Sequence, residues 1–339
     1  MKTPAFWSKD GPLPRLLEPL AGLYSLAGWW RMRRTPAAPP CPLICVGNVV
    51  AGGAGKTPVA LDLLARLTAS GLSAHALLRG YGGSERGPLA VQPAQHSFEQ
   101  VGDEALLLAT QAPTWVARDR RAGAAAAAAA GAGVVVMDDG FQNPALRPTL
   151  SLLVIDGATG LGNGRVMPSG PLREPLARAL ARLQQNGGAV VMLGDDQTGL
   201  CRRLPAGLPV LFGDLRPDPQ AVARLQGRRV VAFAGIGRPA KFFASLRALG
   251  AQVVASHPFA DHYPYEPADI QPILDEAFAL QAIPVTTAKD AVRLGVDQRQ
   301  QVDILPISVQ WRDLAALKAV LAPVLAVPDR LRIRHQEEQ

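Results

Sequence analysis

"VVAGGAGKTP", residues 49–58, decides how the rest of the chain reads. A phosphate-binding loop follows the pattern G-x-x-x-x-G-K-[ST] and joins a strand to a helix. Gly55, Lys56 and Thr57 fit the pattern, but Val50 stands where the first glycine belongs. The context is right. Residues 42–46 form a short apolar run that reads as a buried strand. Residues 58–70 carry Val59, Leu63, Leu64 and Leu67 on one helical face, with Gly71 as the stop. Read as a nucleotide site, Val50, Ala51, Gly52, Gly53, Ala54 and Gly55 would wrap phosphates with backbone N–H groups at a helix N-terminus. Lys56 would reach the β- and γ-phosphates, and the Thr57 hydroxyl would ligate Mg²⁺. The competing reading is a glycine-rich turn before a solvated lysine.

Working outward, "VVVMDDGFQ" (residues 134–142) is a buried strand ending in acid. P-loop proteins hold their magnesium-side carboxylate in such a place, which makes Asp138 and Asp139 metal candidates. Further strands are expected at 73–78, 114–117, 152–155 and 189–193, and helices at 105–109 and 120–130. This alternation predicts an α/β fold: a P-loop NTPase-like three-layer α/β/α domain with a mostly parallel sheet. A second α/β rhythm starts at Arg229, with strands at 230–234, 252–256 and 284–286 and helices at 241–249 and 268–279. Extended segments at 211–216 and 304–310 bound it and read as paired linkers. The expected division is an N-terminal amphipathic helix in 1–35, a P-loop domain in 36–210, a smaller α/β domain in 211–310, and a C-terminal helix and tail in 311–339.

Composition bounds the partners. The chain has 339 residues, 48% apolar and 19% charged, with a net charge of +7. Such a chain folds, and its charge suits acidic substrates or an anionic membrane surface, or reflects an Arg-rich composition. Aromatic residues are 5% of the chain and no reader motif is present, which argues against nucleic acid. Three cysteines, Cys41, Cys45 and Cys201, lack zinc spacing and suit a reducing compartment. No secretory signal is evident, and no apolar run reaches the ~20 residues of a membrane span. Leu13, Leu16, Leu17, Leu20, Leu23, Tyr24 and Ala27 recur at helical spacing, flanked by Trp7, Trp29 and Trp30 and followed by Arg31, Arg33 and Arg34. That pattern suits a helix lying in a membrane interface, or one packed on its own domain.

Seven stretches occur in order: "VGNVVAGGAGKTP", "RGYG", "GDE", "DDGFQ", "GNGRVMPSGPLREP", "FADHYPY" and "TTAKD". Together they resemble the tetraacyldisaccharide 4′-kinases of lipid A biosynthesis, over residues 10 to 310. Loops of that family also lack the first glycine, so Val50 is expected under the resemblance. It implies an enzyme on the cytoplasmic face of the bacterial inner membrane. That enzyme moves the γ-phosphate of ATP, with Mg²⁺, to the 4′-hydroxyl of a tetraacyldisaccharide 1-phosphate, giving lipid IVA. No obligate protein partner is implied. The resemblance assigns Asp103 as the base and His262 as its partner, with Lys56 completing the catalytic set. By residue type alone, Asp103 reads as a helix N-cap and His262 as a surface histidine. Tyr81, Arg173 and Glu174 become candidates for substrate binding, Arg173 as a phosphate ligand. Arg118 and Arg121 are weaker phosphate candidates, and Lys289 reads as structural or solvated. Two positions depart from the family pattern: Asn143 stands where many relatives carry His, and Pro148-Thr149 where Arg-Asp is common. The competing functional class is a membrane-associated P-loop ATPase acting as a switch.

Overall fold

The computed structural model describes residues 4–326. The end of the expected C-terminal tail lies outside them. In chain order the strands are β1 Leu43–Gly47, β2 Ala74–Leu78, β3 Leu89–Ala90, β4 Thr114–Val116, β5 Val134–Asp138, β6 Leu150–Asp156, β7 Ala189–Leu193, β8 Val210–Pro217, β9 Arg229–Ala234, β10 Gln252–Pro258, β11 Ile283–Thr287, β12 Asp303–Leu305 and β13 Ile307–Trp311. They form two sheets, ordered β13-β8-β7-β6-β1-β5-β2-β4-β3 and β10-β9-β11-β12. Pairing in the large sheet is parallel except at its edges, where β13 meets β8 and β3 meets β4 antiparallel. The small sheet is wholly parallel.

The central strands are apolar because both faces are covered. β1, β2, β5 and β7 are buried at every position. One face of the large sheet packs on helices Lys56–Ala69, Asp103–Ala109 and Leu314–Leu325, through Leu63, Leu67, Leu108, Leu317 and Leu321. The other packs on Arg120–Ala129 and Leu176–Gln185, through Ala124, Ala127, Leu180 and Leu183. The alanine run beginning at Ala122 is therefore a helix feeding a buried strand, as its composition suggests. The Asp119 carboxylate caps that helix by accepting from the Arg121 and Ala122 N–H groups.

Two observations differ from the expected elements. The single extended segment 304–310 divides at Pro306. Residues before it pair with β11 in the small sheet, and residues after it cross to β8 in the large one. Proline has no N–H to continue the ladder, so the strand ends there. The helix Leu176–Gln185 is an addition to the expected set; its start is hidden behind a Gly/Pro-rich loop.

Candidate active site

The P-loop leaves the C-terminal end of β1, where open α/β sheets bind ligands. Its first half is not a free glycine loop. Val50 forms a bridge with Leu172, Ala51 N–H donates to the Pro171 carbonyl, and Arg173 N–H donates to the Val49 carbonyl. Asn48, fully buried, donates from Nδ2 to the Val50 carbonyl at 2.7 Å. Strand-like backbone needs no glycine, so Val50 fits without strain. Glycine is required further along, at Gly52 (φ 119°) and Gly55 (φ 84°). A Cβ on Gly55 would collide with Leu193. The helix Lys56–Ala69 begins at the next residue, so its N–H groups open onto the loop.

Lys56 Nζ lies 3.4 Å from Asn48 Oδ1 and 3.4 Å from Asp139 Oδ1. The Thr57 hydroxyl donates to Asp138 Oδ2 at 3.2 Å. Asp138 is buried at the end of β5, and burial pushes its carboxyl up to about 7, with Glu104 adding to the rise. A buried carboxylate beside a hydroxyl, acted on by the Lys56 charge but in no direct ion pair among the described residues, suits a hard divalent ion. Mg²⁺ characteristically takes one or two carboxylates and fills its other positions with phosphate and water. Accordingly, no cluster of three or more His, Cys, Asp or Glu is needed, and among the described residues none occurs.

Asp139 pairs with two cations. Its oxygens accept from Arg173 Nη1 at 2.8 and 3.0 Å, and Lys56 flanks it. Burial raises its carboxyl, but Lys56 and Arg173 outweigh burial and hold it below the ordinary value. Asp139 thus gathers the two cations, while Asp138 faces Thr57. Glu174 likewise has protein partners. Arg182 takes both its oxygens at 2.7 Å, and Gln142 Nε2 donates to it at 3.0 Å. It braces the "GPLREP" loop from inside. Arg121 is spent on the carbonyls of Ala145 and Thr35. The arginine buried near the acids is Arg120, pushed down to about 10 by burial and then by Arg79. Asn143 closes a local turn through the Ala145 N–H.

The other half of the site spans both sheets. Asp103 is 3% exposed and is the first residue of its helix, whose N-cap is Gly102. Its carboxylate therefore caps nothing further down the helix: Oδ1 accepts only the Glu104 N–H, at 2.8 Å. Oδ2 is shared with the small sheet. His262 Nδ1 lies 2.9 Å from it, Arg293 Nε 3.6 Å and Lys289 Nζ 3.8 Å. Burial would raise this carboxyl, yet the His262 hydrogen bond and the charges of Lys289, His262 and Arg293 hold it below the ordinary value. His262 adopts φ 59°, an uncommon conformation for a non-glycine residue. Its N–H donates to the Gly235 carbonyl, fixing the turn. Tyr81, 72% exposed, sets its ring edge-on to His262 at 5.9 Å.

Lys289, read as structural or solvated, lies 3.3 Å from Glu104 and 3.8 Å from Asp103, and so borders the dyad. Arg293, in the turn after the short helix Ala288–Ala291, carries no sequence signal of its own. It is fully buried, donates to Asp290 at 2.6 Å, and reaches the carbonyls of Gly235 and Tyr263. Asp290 also accepts from the Gly235 N–H and the Tyr265 hydroxyl. This buried network holds the 235 and 263 turns, and hence His262, in place. Asn48 and Asp290 lay within quoted motifs but gave no sign of these contacts.

A family model described as tetraacyldisaccharide-1-P 4′-kinase matches residues 13–326. The chain belongs to the tetraacyldisaccharide 4′-kinase family. The tetraacyldisaccharide 4′-kinase of Rhodospirillum centenum is 56% identical over 97% of this chain and 98% of its own length. That of Rhodospirillum rubrum is 55% identical over 95% of this chain and 97% of its own. A solved structure of the family protein LpxK from Aquifex aeolicus, in complex with ATP, has a similar fold. Its TM-score is 0.72 at 24% identity, covering 93% of this chain and all of that one.

Proposed function

We propose that the chain transfers the γ-phosphate of ATP to the 4′-hydroxyl of a tetraacyldisaccharide 1-phosphate, forming lipid IVA in lipid A biosynthesis. Membership of the kinase family supports the reaction. The observation that carries the residue roles is the placement of the Asp103–His262 pair against the P-loop sheet. The 4′-oxygen attacks the γ-phosphorus, the new O–P bond forms as the bond to the β-phosphate oxygen breaks, and ADP leaves. The hydroxyl proton passes to the Asp103–His262 pair. Asp103 is held ionised by its neighbours and is suited to stabilise the proton on the imidazole or to accept it.

Gly52–Gly55 and Lys56 hold the phosphates, and Thr57 and Asp138 would hold Mg²⁺. When bound there, that ion would supply charge neutralisation to the transferred phosphoryl group. Asp139 positions Lys56 and Arg173 side by side, so Arg173 is available to an anionic substrate group at the mouth of the loop.

The acylated substrate lies in a bilayer, and the N-terminal helices suit that setting. Helix Glu18–Met32 buries only Ala21, while Leu16 is 76% exposed and Trp30 74%. Arg33 stacks over Trp29 at 4.8 Å. No helix of the described residues is long and apolar enough to cross a membrane. The helices are fastened beside the site: Trp7 Nε1 donates to the Pro168 carbonyl, the Ser169 hydroxyl to Pro14, and Arg178 to Ser25. An apolar face mounted on the "GNGRVMPSGPLREP" loop would bring the headgroup plane to Arg173. This supports peripheral docking on the cytoplasmic face of the inner membrane. The test is transfer of radiolabel from γ-labelled ATP to tetraacyldisaccharide 1-phosphate in mixed micelles. Label in a 4′-phosphorylated product is expected; ATP consumption without acceptor phosphorylation would reject the reading in favour of a switch ATPase.

A further inference from the structure

Among the described residues, side-chain bridges join the small-sheet unit to the P-loop sheet at two places. One is the Asp103 cluster. The other lies on the opposite side of the nucleotide loop and has no part in the chemistry above. Arg238 sits in the turn after β9, just before helix Pro239–Ala248. Its Nη2 is 2.6 Å from Asp156 Oδ2, at the end of β6, and 3.2 Å from the Gly53 carbonyl in the P-loop. Lys241, one helical turn on, lies 3.9 Å from the same Asp156 oxygen. Burial raises the Asp156 carboxyl, but the Arg238 hydrogen bond and the charges of Lys241 and Arg238 hold it below the ordinary value.

Both bonds use one nitrogen. Nη1 and Nε of Arg238 make no hydrogen bond among the described residues, and the side chain is 46% exposed. As a pair bond alone, such a half-exposed bridge contributes little, because solvent screens it and ordering the side chain costs entropy. Its position is more telling. A guanidinium bonded to the Gly53 carbonyl is one residue from the N–H groups that face phosphate. Lys56 is the only cation within the loop itself, and it shares Asp139 with Arg173. A triphosphate therefore meets few cations from the large sheet, and a planar fork with spare donors matches phosphate oxygens well.

We propose that Arg238 is a nucleotide-binding residue, carried by the small sheet to the phosphates in the P-loop and oriented by Asp156. The proposal rests on the reading that residues 50–57 bind ATP. Nucleotide phosphates would then touch both sheets, and ATP binding would favour the arrangement in which His262 meets Asp103.

Calorimetric titration of the full chain with MgATP and with AMP tests this. Losing one charge-assisted contact in R238A should weaken MgATP about tenfold while AMP changes less than about twofold. R238K should recover part of the loss. D156N keeps an acceptor for Arg238 and removes a charge that repels phosphate, so it should stay within about threefold of the parent. The proposal fails if R238A leaves MgATP affinity unchanged, if ATP and AMP weaken equally, or if D156N reproduces R238A, which marks a bridge between sheets and nothing more. K56A separates the two levels. If K56A leaves MgATP binding intact, the loop reading itself falls; if K56A weakens it and R238A does not, Arg238 alone falls. Melting without nucleotide checks that R238A is folded. If it is not, R238Q takes its place and must show the same selective loss.

Discussion

Lys56 and Thr57 open the helix that follows β1, and Asp138 ends β5; the two strands are neighbours in one sheet. Asp103 and His262 come from different sheets and lie 159 residues apart in the chain. The P-loop lysine and the candidate Mg²⁺ ligands are thus fixed by the folding of one sheet. The acceptor half exists only when the small sheet sits against the large one. The first is held by strand ends and backbone, the second by the His262 hydrogen bond and two cationic side chains, Lys289 and Arg293, converging on one buried carboxylate. The difference teaches where the molecule can be disarmed without being blinded to ATP.

The largest expected effect separates the halves outright. D103N should lower kcat by roughly 10²–10⁴-fold, the range for a lost general base, while MgATP affinity stays within about twofold. Kinetics with saturating acceptor, alongside calorimetry, read both quantities. Next comes the buried support of the acceptor half. R293M leaves Asp290 as a buried charge without its cation and should destabilise the chain by roughly 3–5 kcal/mol in urea unfolding. Val50 and Gly55 probe the nucleotide half from within. G55A forces an alanine into left-handed backbone against Leu193 and should cost at least about 1–2 kcal/mol, with weaker MgATP binding. V50G only loosens a strand-like residue and should cost about 0.5–1 kcal/mol, with little change in KM for ATP.

The smallest effect is in pH. Asp103 has a depressed carboxyl in the folded chain, so its pairing stabilises at pH values above the ordinary 3.8. That stabilisation is lost as pH falls through the lower, folded value. The stabilisation that the Asp103 carboxylate gives the parent over D103N, read from their unfolding midpoints, should therefore fall away as pH drops below the ordinary carboxylate range. H262A removes the strongest favourable partner and should move the decline to higher pH.

The same contrast explains what was legible in the sequence. "GGAGKTP" and "VVVMDD" are local patterns, in which strand, turn and helix follow from spacing and place Thr57 beside Asp138. The parallel sheet was legible for the same reason: buried strands on both faces read as unbroken apolar runs. Pairing between sheets leaves no such trace. A buried Arg293 and an exposed arginine look alike in a string, and nothing in the string says which partners a structural Lys289 would take. Asp139 and Glu174 stood in motifs rich in function, yet their oxygens are taken by Arg173, Lys56 and Arg182. Val50 was an anomaly only against a glycine pattern; its bridge to Leu172 could be seen only once "GPLREP" was folded against the loop.

The central claim is that Asp103 and His262 act as one unit assembled across the two sheets. A double-mutant cycle of D103N and H262A, read as kcat at saturating ATP and acceptor, tests it most directly. The account predicts that the double variant is no slower than the slower single variant within about threefold, since removing either member disables the unit. Losses that multiply, so that the double variant falls by the product of the two single effects, would contradict it.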